Sequence, residues 1–190
     1  LISAAGEGYD ADEFYEIALL GKLVWGDHDF NRKNESSERR SYVSKLFTRR
    51  FTKIINVTPL LNHNLAGVAG SLFTLALDGV DNSLRFESSP EHLAQAVAEI
   101  YARESIGDKV VLNVVDALLC QYQGEERTLL HYSVMLGQIR FSTDPVALDL
   151  LSIEEIRRQR AAAGTDAPRP NLKIYTNAAL LELGINDTNR

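Results

Sequence analysis

Two short runs dense in β-branched residues constrain this chain more than anything else in it: KIINV at residues 53–57 and KVVLNVV at residues 109–115. Runs of this kind put apolar side chains on both sides of a strand, as strands buried between two layers do. Helical patterns follow each of them. Ser89-Pro90-Glu91 reads as a helix start, with Ser at the N-cap and Pro in the first turn, ahead of an apolar stripe at Leu93, Ala96, Val97, Ile100 and Tyr101. Thr143-Asp144-Pro145 starts another, with Val146, Ala147, Leu150, Leu151 and Ile153 facing inward. Strands alternating with helices predict an α/β fold. The expected form is a mostly parallel sheet with helices on both faces and an added antiparallel edge strand drawn from residues 129–141.

The remaining segments are assigned by the same local signals. Residues 10–20 are expected to form a helix with Phe14, Ile17 and Ala18 on one face and Asp10 or Asp12 as its cap. Residues 22–25 are a short strand candidate ending at Gly26, and residues 27–42 are polar enough to be a loop. Pro59 is expected to close the first strand, and Asn64 to cap a helix over residues 65–77. Asp116 is expected to end the second strand. A last short helix is placed at residues 176–183, before Gly184. Residues 1–190 are taken as a single α/β domain, and the opening Leu1 suggests one incomplete at its N-terminus.

Charge and cysteine content exclude several classes of function. The net charge of −6 argues against a dedicated nucleic-acid binder. One cysteine, Cys120, permits no intramolecular disulfide, no iron–sulfur cluster and no thiolate zinc site on this chain. The longest apolar stretch, residues 65–77, is too short to span a bilayer. Phosphate-loop, dinucleotide-fold, nucleophile-elbow and zinc-protease motifs are absent. An otherwise acidic protein carries one basic segment, with Arg32, Lys33, Arg39, Arg40, Lys45, Arg49, Arg50 and Lys53 within residues 32–53.

In open α/β sheets, ligands bind beyond the carboxyl ends of the strands. Asn62, His63 and Asn64 follow the first run, Asp116 follows the second, and Asp144 follows a third strand candidate, QIRFS at residues 138–142. A carboxylate directly after an apolar strand must be solvated, paired or bound to a cation. His63 can shuttle a proton or ligate a metal. His63 and Asp116 are therefore the catalytic candidates, with Asn62, Asn64 and Arg85 as ligand-binding groups. His63, Asp116 and Asp144 form a candidate metal set, whose lack of thiolates suits a hard or borderline divalent cation. Asp144 also reads as a plain helix cap. His28, between Asp27 and Asp29, is a weaker cluster of the same kind.

Three blocks together resemble the DUF362 family, a family of unknown function: IINVTPLLNHNLAGVAG at 54–70, Val115-Asp116-Ala117, and STDPVALD at 142–149. The resemblance implies an α/β fold with a site near His63, Asp116 and Asp144. Leu61, Phe73 or Thr74, and Glu87 stand where the family often has lysine or histidine. Some relatives carry ferredoxin-like cysteine clusters or twin-arginine export signals, neither of which is present in this sequence. The resemblance leaves the compartment open between the cytoplasm and export by a twin-arginine signal on a missing N-terminus.

Two readings of function stand at this point. One is a cation-assisted enzyme acting on a small anionic ligand in a strand-end cleft. The other is a non-catalytic accessory or binding protein for a redox partner, with the basic segment 32–53 as its interface.

Overall fold

A computed structural model describes residues 3–32, 35–124, 129–165 and 171–187. The chain runs α1 (Ala4–Glu7), β1 (Tyr9–Glu16), α2 (Glu35–Glu38), β2 (Arg40–Ser44), β3 (Ile54–His63), β4 (Gly67–Val68), α3 (Ser71–Asp78), α4 (Pro90–Tyr101), β5 (Val110–Gln121), β6 (Ser133–Ser142), α5 (Pro145–Ala163) and α6 (Lys173–Leu180). The fold is mixed α/β. Its main sheet has the order β4-β3-β5-β6, with β3 and β5 parallel and the two outer pairings antiparallel. The sheet is thus mixed rather than mostly parallel, and β6 is the added antiparallel edge strand.

Both β-branched runs lie in strands, and both strands outrun their expected ends. β3 continues through Pro59 to His63, pairing with β4 only at Asn62 and His63. Along most of its length β3 is therefore open on one side, and a proline lacking its N–H is tolerated at such an edge. β5 continues through Asp116 to Gln121, so Asp116 lies within the strand.

The segment expected to be the first helix is strand β1. Tertiary pairing decides this: Phe14 stands opposite Tyr42 and Glu16 opposite Arg40 across β2. The first pair packs edge to face, and the second forms a 2.9 Å ion pair. Residues 22–25 do not form a strand. They lead into a turn held by Asp27 Oδ2, which accepts the Val24 N–H at 2.7 Å. Residues 27–42 are not all loop, since they contain α2 and the start of β2.

The helix expected over residues 65–77 begins only at Ser71, because Gly67 and Val68 form the hairpin strand β4. The starts of α4 and α5 are as expected. Ser89 Oγ accepts from the Glu91 and His92 N–H groups, and Asp144 Oδ1 accepts from Ala147. The last helix, α6, begins earlier than expected, at Lys173.

One apolar cluster joins the main sheet, the helices and the β1–β2 ribbon, with Leu72, Phe86, Leu93, Val97, Ile100 and Ile156 fully buried in it. The covered face of the main sheet meets α3 and α5. Residues paired laterally share a face, and the rows Asn56–Asn113 and Thr58–Val115 are buried there. The alternate rows point the other way. Ile55 and Val57 of β3 are 61% and 64% exposed, and Ile139 and Phe141 of β6 are 62% and 71% exposed. Among the described residues, nothing removes this second face from solvent.

Candidate functional site

The residues at the expected strand ends are individually well placed and mutually apart. His63 ends β3, and the tight β3–β4 hairpin uses its ring. Nδ1 accepts the Ala66 N–H at 3.1 Å, and the ring packs on Phe73 with centroids 4.2 Å apart. Asn62, beside it, is fully buried, and neither side-chain atom has a hydrogen-bond partner among the described residues. Asn64 sits half-buried in the turn.

Asp116 is exposed in mid-strand, where Oδ1 accepts the Leu118 N–H at 3.0 Å. It stands level with Pro59. His63 lies four residues further along β3, about 13 Å at the usual strand rise of about 3.3 Å per residue. The shared cation site expected of His63, Asp116 and Asp144 is not assembled. The reason is topological: β5 passes Asp116 and carries its carboxyl end on to Gln121. Among the described residues, no group of three or more His, Cys, Asp or Glu is placed to hold a metal ion.

Asp144 is committed at both oxygens. Oδ1 accepts the Ala147 N–H at 2.8 Å as the N-cap of α5, and Oδ2 accepts the Ile185 N–H at 2.9 Å. Gly184 approaches so closely that a Cβ there would stand 2.1 Å from Oδ1.

Arg85 does not reach into a cleft. Its guanidinium donates to the Leu19 carbonyl at 2.6 Å, the Tyr15 carbonyl at 3.4 Å and Ser41 Oγ at 3.0 Å. It also lies over the Phe86 ring, 4.6 Å from its centroid. Burial pushes its pKa down to about 10, against the pull of Tyr15 and Asp81. The residue expected to grip an anion instead fastens the segment after β1 to the core.

The His28 neighbourhood is equally occupied. Asp27 accepts the Val24 and Asn82 N–H groups, Asp81 accepts those of His28 and Tyr42, and Asp29 accepts the Tyr42 hydroxyl. Burial pushes Asp81 up to about 6, helped by the charges of Asp27 and Asp29 and opposed by its two N–H donors.

The most perturbed carboxylate in the β3–α5 region is Asp149, which is fully buried. It accepts the Ser71 N–H at 2.7 Å and the Leu72 N–H at 3.0 Å, capping α3 from α5. Burial drives its pKa up to about 7 against those two donors.

Arg32, Arg40, Arg49 and Arg50 of the basic segment pair within the chain, and Arg32, Arg49 and Arg50 stay exposed. Arg49 pairs with Asp10 at 2.9 Å, Arg50 with Glu7 at 2.6 Å, Arg40 with Glu16 at 2.9 Å, and Arg32 with Asp29 at 3.5 Å. Lys33 lies outside the described residues.

Surface depressions lie away from these candidate residues. One of about 650 Å³ is lined by Arg140, Leu151, Glu154, Glu155, Arg157 and Arg158. Its Arg140 and Arg158 are held by Glu155 at 3.0 and 2.7 Å.

The feature that the sequence reading missed is the open sheet face. Its signal lies in the alternation: Asn56 and Thr58 interleave with Ile55 and Val57, and the polar pair faces the helices. There the Asn56 amide donates to the Ser71 carbonyl at 3.0 Å and to Asn113 Oδ1 at 3.2 Å. Polar groups inside and apolar groups outside invert the usual alternation of a one-sided sheet.

No family model, curated protein or solved structure matches the chain.

Proposed function

We propose that this chain is a non-catalytic docking domain that binds through the open face of its main sheet. One observation carries the reading: Ile55 and Val57 of β3 and Ile139 and Phe141 of β6 are each more than half exposed, with β5 between them and Val57, the half-buried Val114 and Phe141 in one lateral row. Together they offer apolar surface of the order of 500 Å², at the upper end of what a monomer leaves bare. A parallel strand pair is ordinarily covered on both faces, and here α3 and α5 cover only one.

The accessory-protein reading is thereby kept and its interface moved. Arg40, Arg49 and Arg50 of the basic segment are already paired with Glu16, Asp10 and Glu7, so the sheet face is the better surface. The enzyme reading would need His63, Asp116 and Asp144 in one cleft, and it finds no support in their placement. The DUF362 resemblance is compatible with docking. Two of its blocks meet where Asp149 packs against Gly70, which gives those motif residues a structural role.

Binding of 8-anilinonaphthalene-1-sulfonate by the folded chain tests the reading. The dye should bind the wild type, and the double variant Ile139→Lys, Phe141→Lys should lose most of the signal at an unchanged melting temperature. Full dye binding by the folded double variant would remove the open face as the docking surface.

A further inference from the structure

The apolar face carries one charge at its centre. Asp116 stands level with Pro59 on one side and Ile139 on the other. The row Val57–Val114–Phe141 precedes it, and the pair Leu119–Met135 lies beyond it. The carboxylate is exposed and accepts the Leu118 N–H. Water serves its remaining lone pairs for as long as the face is bare.

Any body that covers the face removes that water. A carboxylate buried without a partner is strongly unfavourable, and a guanidinium or ammonium opposite it offsets the penalty. A second copy of this chain does not supply one. A two-fold arrangement that covers the whole face lays its centre on its own counterpart, so Asp116 would meet the other copy's Asp116.

Resting on the docking reading, we infer that the occupant is a different protein, presenting an amphipathic helix whose apolar stripe is interrupted by one Arg or Lys that pairs with Asp116. A helix running along the strands lays one continuous stripe of side chains over all three rows, about nine residues spanning about 13 Å. The apolar stripe then covers Val57 and Phe141 before the cation, and Leu119 and Met135 after it.

The test uses the purified chain and two synthetic amphipathic helices, identical except for one residue at the middle of the apolar stripe: Arg in one, Glu in the other. Titration should show the Arg helix binding at least about tenfold tighter, the scale of one charge-assisted hydrogen-bonded pair. Asp116→Arg should reverse the preference. The near-isosteric Asp116→Asn should abolish it, and it keeps the test valid if the arginine variant does not fold. Equal affinity of both helices for the wild type would overturn the charge pairing while leaving the docking face intact. Failure of both helices to bind would overturn this inference, while the dye experiment decides the docking reading by itself. A stable dimer in sedimentation equilibrium that Phe141→Lys dissolves would overturn the separate partner in favour of a second copy.

Discussion

The Asp149 carboxylate sits against Gly70, so close that a Cβ on Gly70 would stand 2.4 Å from Oδ1. The contact lets α5 cap α3. The first turn of α3 has no side-chain cap of its own, and Asp149 takes up the Ser71 and Leu72 N–H groups instead. Gly70→Ala should push the carboxylate away and cost about 1–3 kcal/mol. Asp149→Ala should cost about 2–4 kcal/mol by orphaning two buried donors. Chemical denaturation measures both. An alanine at position 70 tolerated without loss would show that the two helices are not locked together in this way.

The same carboxylate sets a pH dependence. Asp149 rises from an ordinary value of 3.8 to about 7, and Asp81 to about 6. Between about pH 4 and 7 the folded state therefore holds protons that the unfolded state has released. Stability should fall as pH rises through that window and level off above it. Asp10, held down to about 2 by Arg49 with burial opposing, acts in the other direction. Its contribution is present above pH 3.8 and is lost as pH falls through about 2. Melting temperatures across pH 4–8 should decline for the wild type and decline less in Asp149→Asn, levelling off above about pH 6, where Asp81 has titrated. A wild-type melting temperature that rises over that window would contradict the assignment.

Arg85 should behave as a structural clamp. Replacing it with Lys removes the fork that joins the Leu19 and Tyr15 carbonyls to Ser41, and should cost about 2–3 kcal/mol. Limited proteolysis offers a local readout, with cleavage near residues 19–26 expected to accelerate in the variant. Unchanged cleavage there would mean that the segment is held by other contacts.

Asp144→Ala should act at two places at once. Loss of the α5 cap costs about 1 kcal/mol, and loss of the bond to Ile185 frees the end of the described chain. Hydrogen exchange should show faster exchange at the Ile185 amide as well as at the first turn of α5. A change confined to α5 would remove the link to Ile185.

What was legible in the sequence was what is decided locally. Ser89 and Asp144 cap the helices that directly follow them, so α4 and α5 could be placed from neighbouring residues alone. The two β-branched runs marked β3 and β5 for the same reason. The rest depends on partners distant in sequence. The cap of α3 comes from Asp149, so Asn64 was the wrong place to look. β1 is a strand only because β2 lies opposite it. Pro59 does not end β3 because that side of the strand is an edge. The candidate site depended on strand ends that coincide, and Asp116 is not one of them. Asp144 caps α5 as its place before Pro145 predicts, whereas Arg85, expected to grip an anion, spends its guanidinium on the Leu19 and Tyr15 carbonyls and Ser41.

The docking reading is tested most directly by the chain's single methionine. Met135 is 80% exposed and lies opposite Leu119 on the open face. Dilute hydrogen peroxide should oxidise it in the folded protein at a rate close to that in the denatured protein, read by mass spectrometry as the gain of one oxygen. The helix carrying the central Arg should then slow that oxidation when added. Oxidation that occurs only after denaturation would mean that the face is covered within the chain, and would contradict the docking surface.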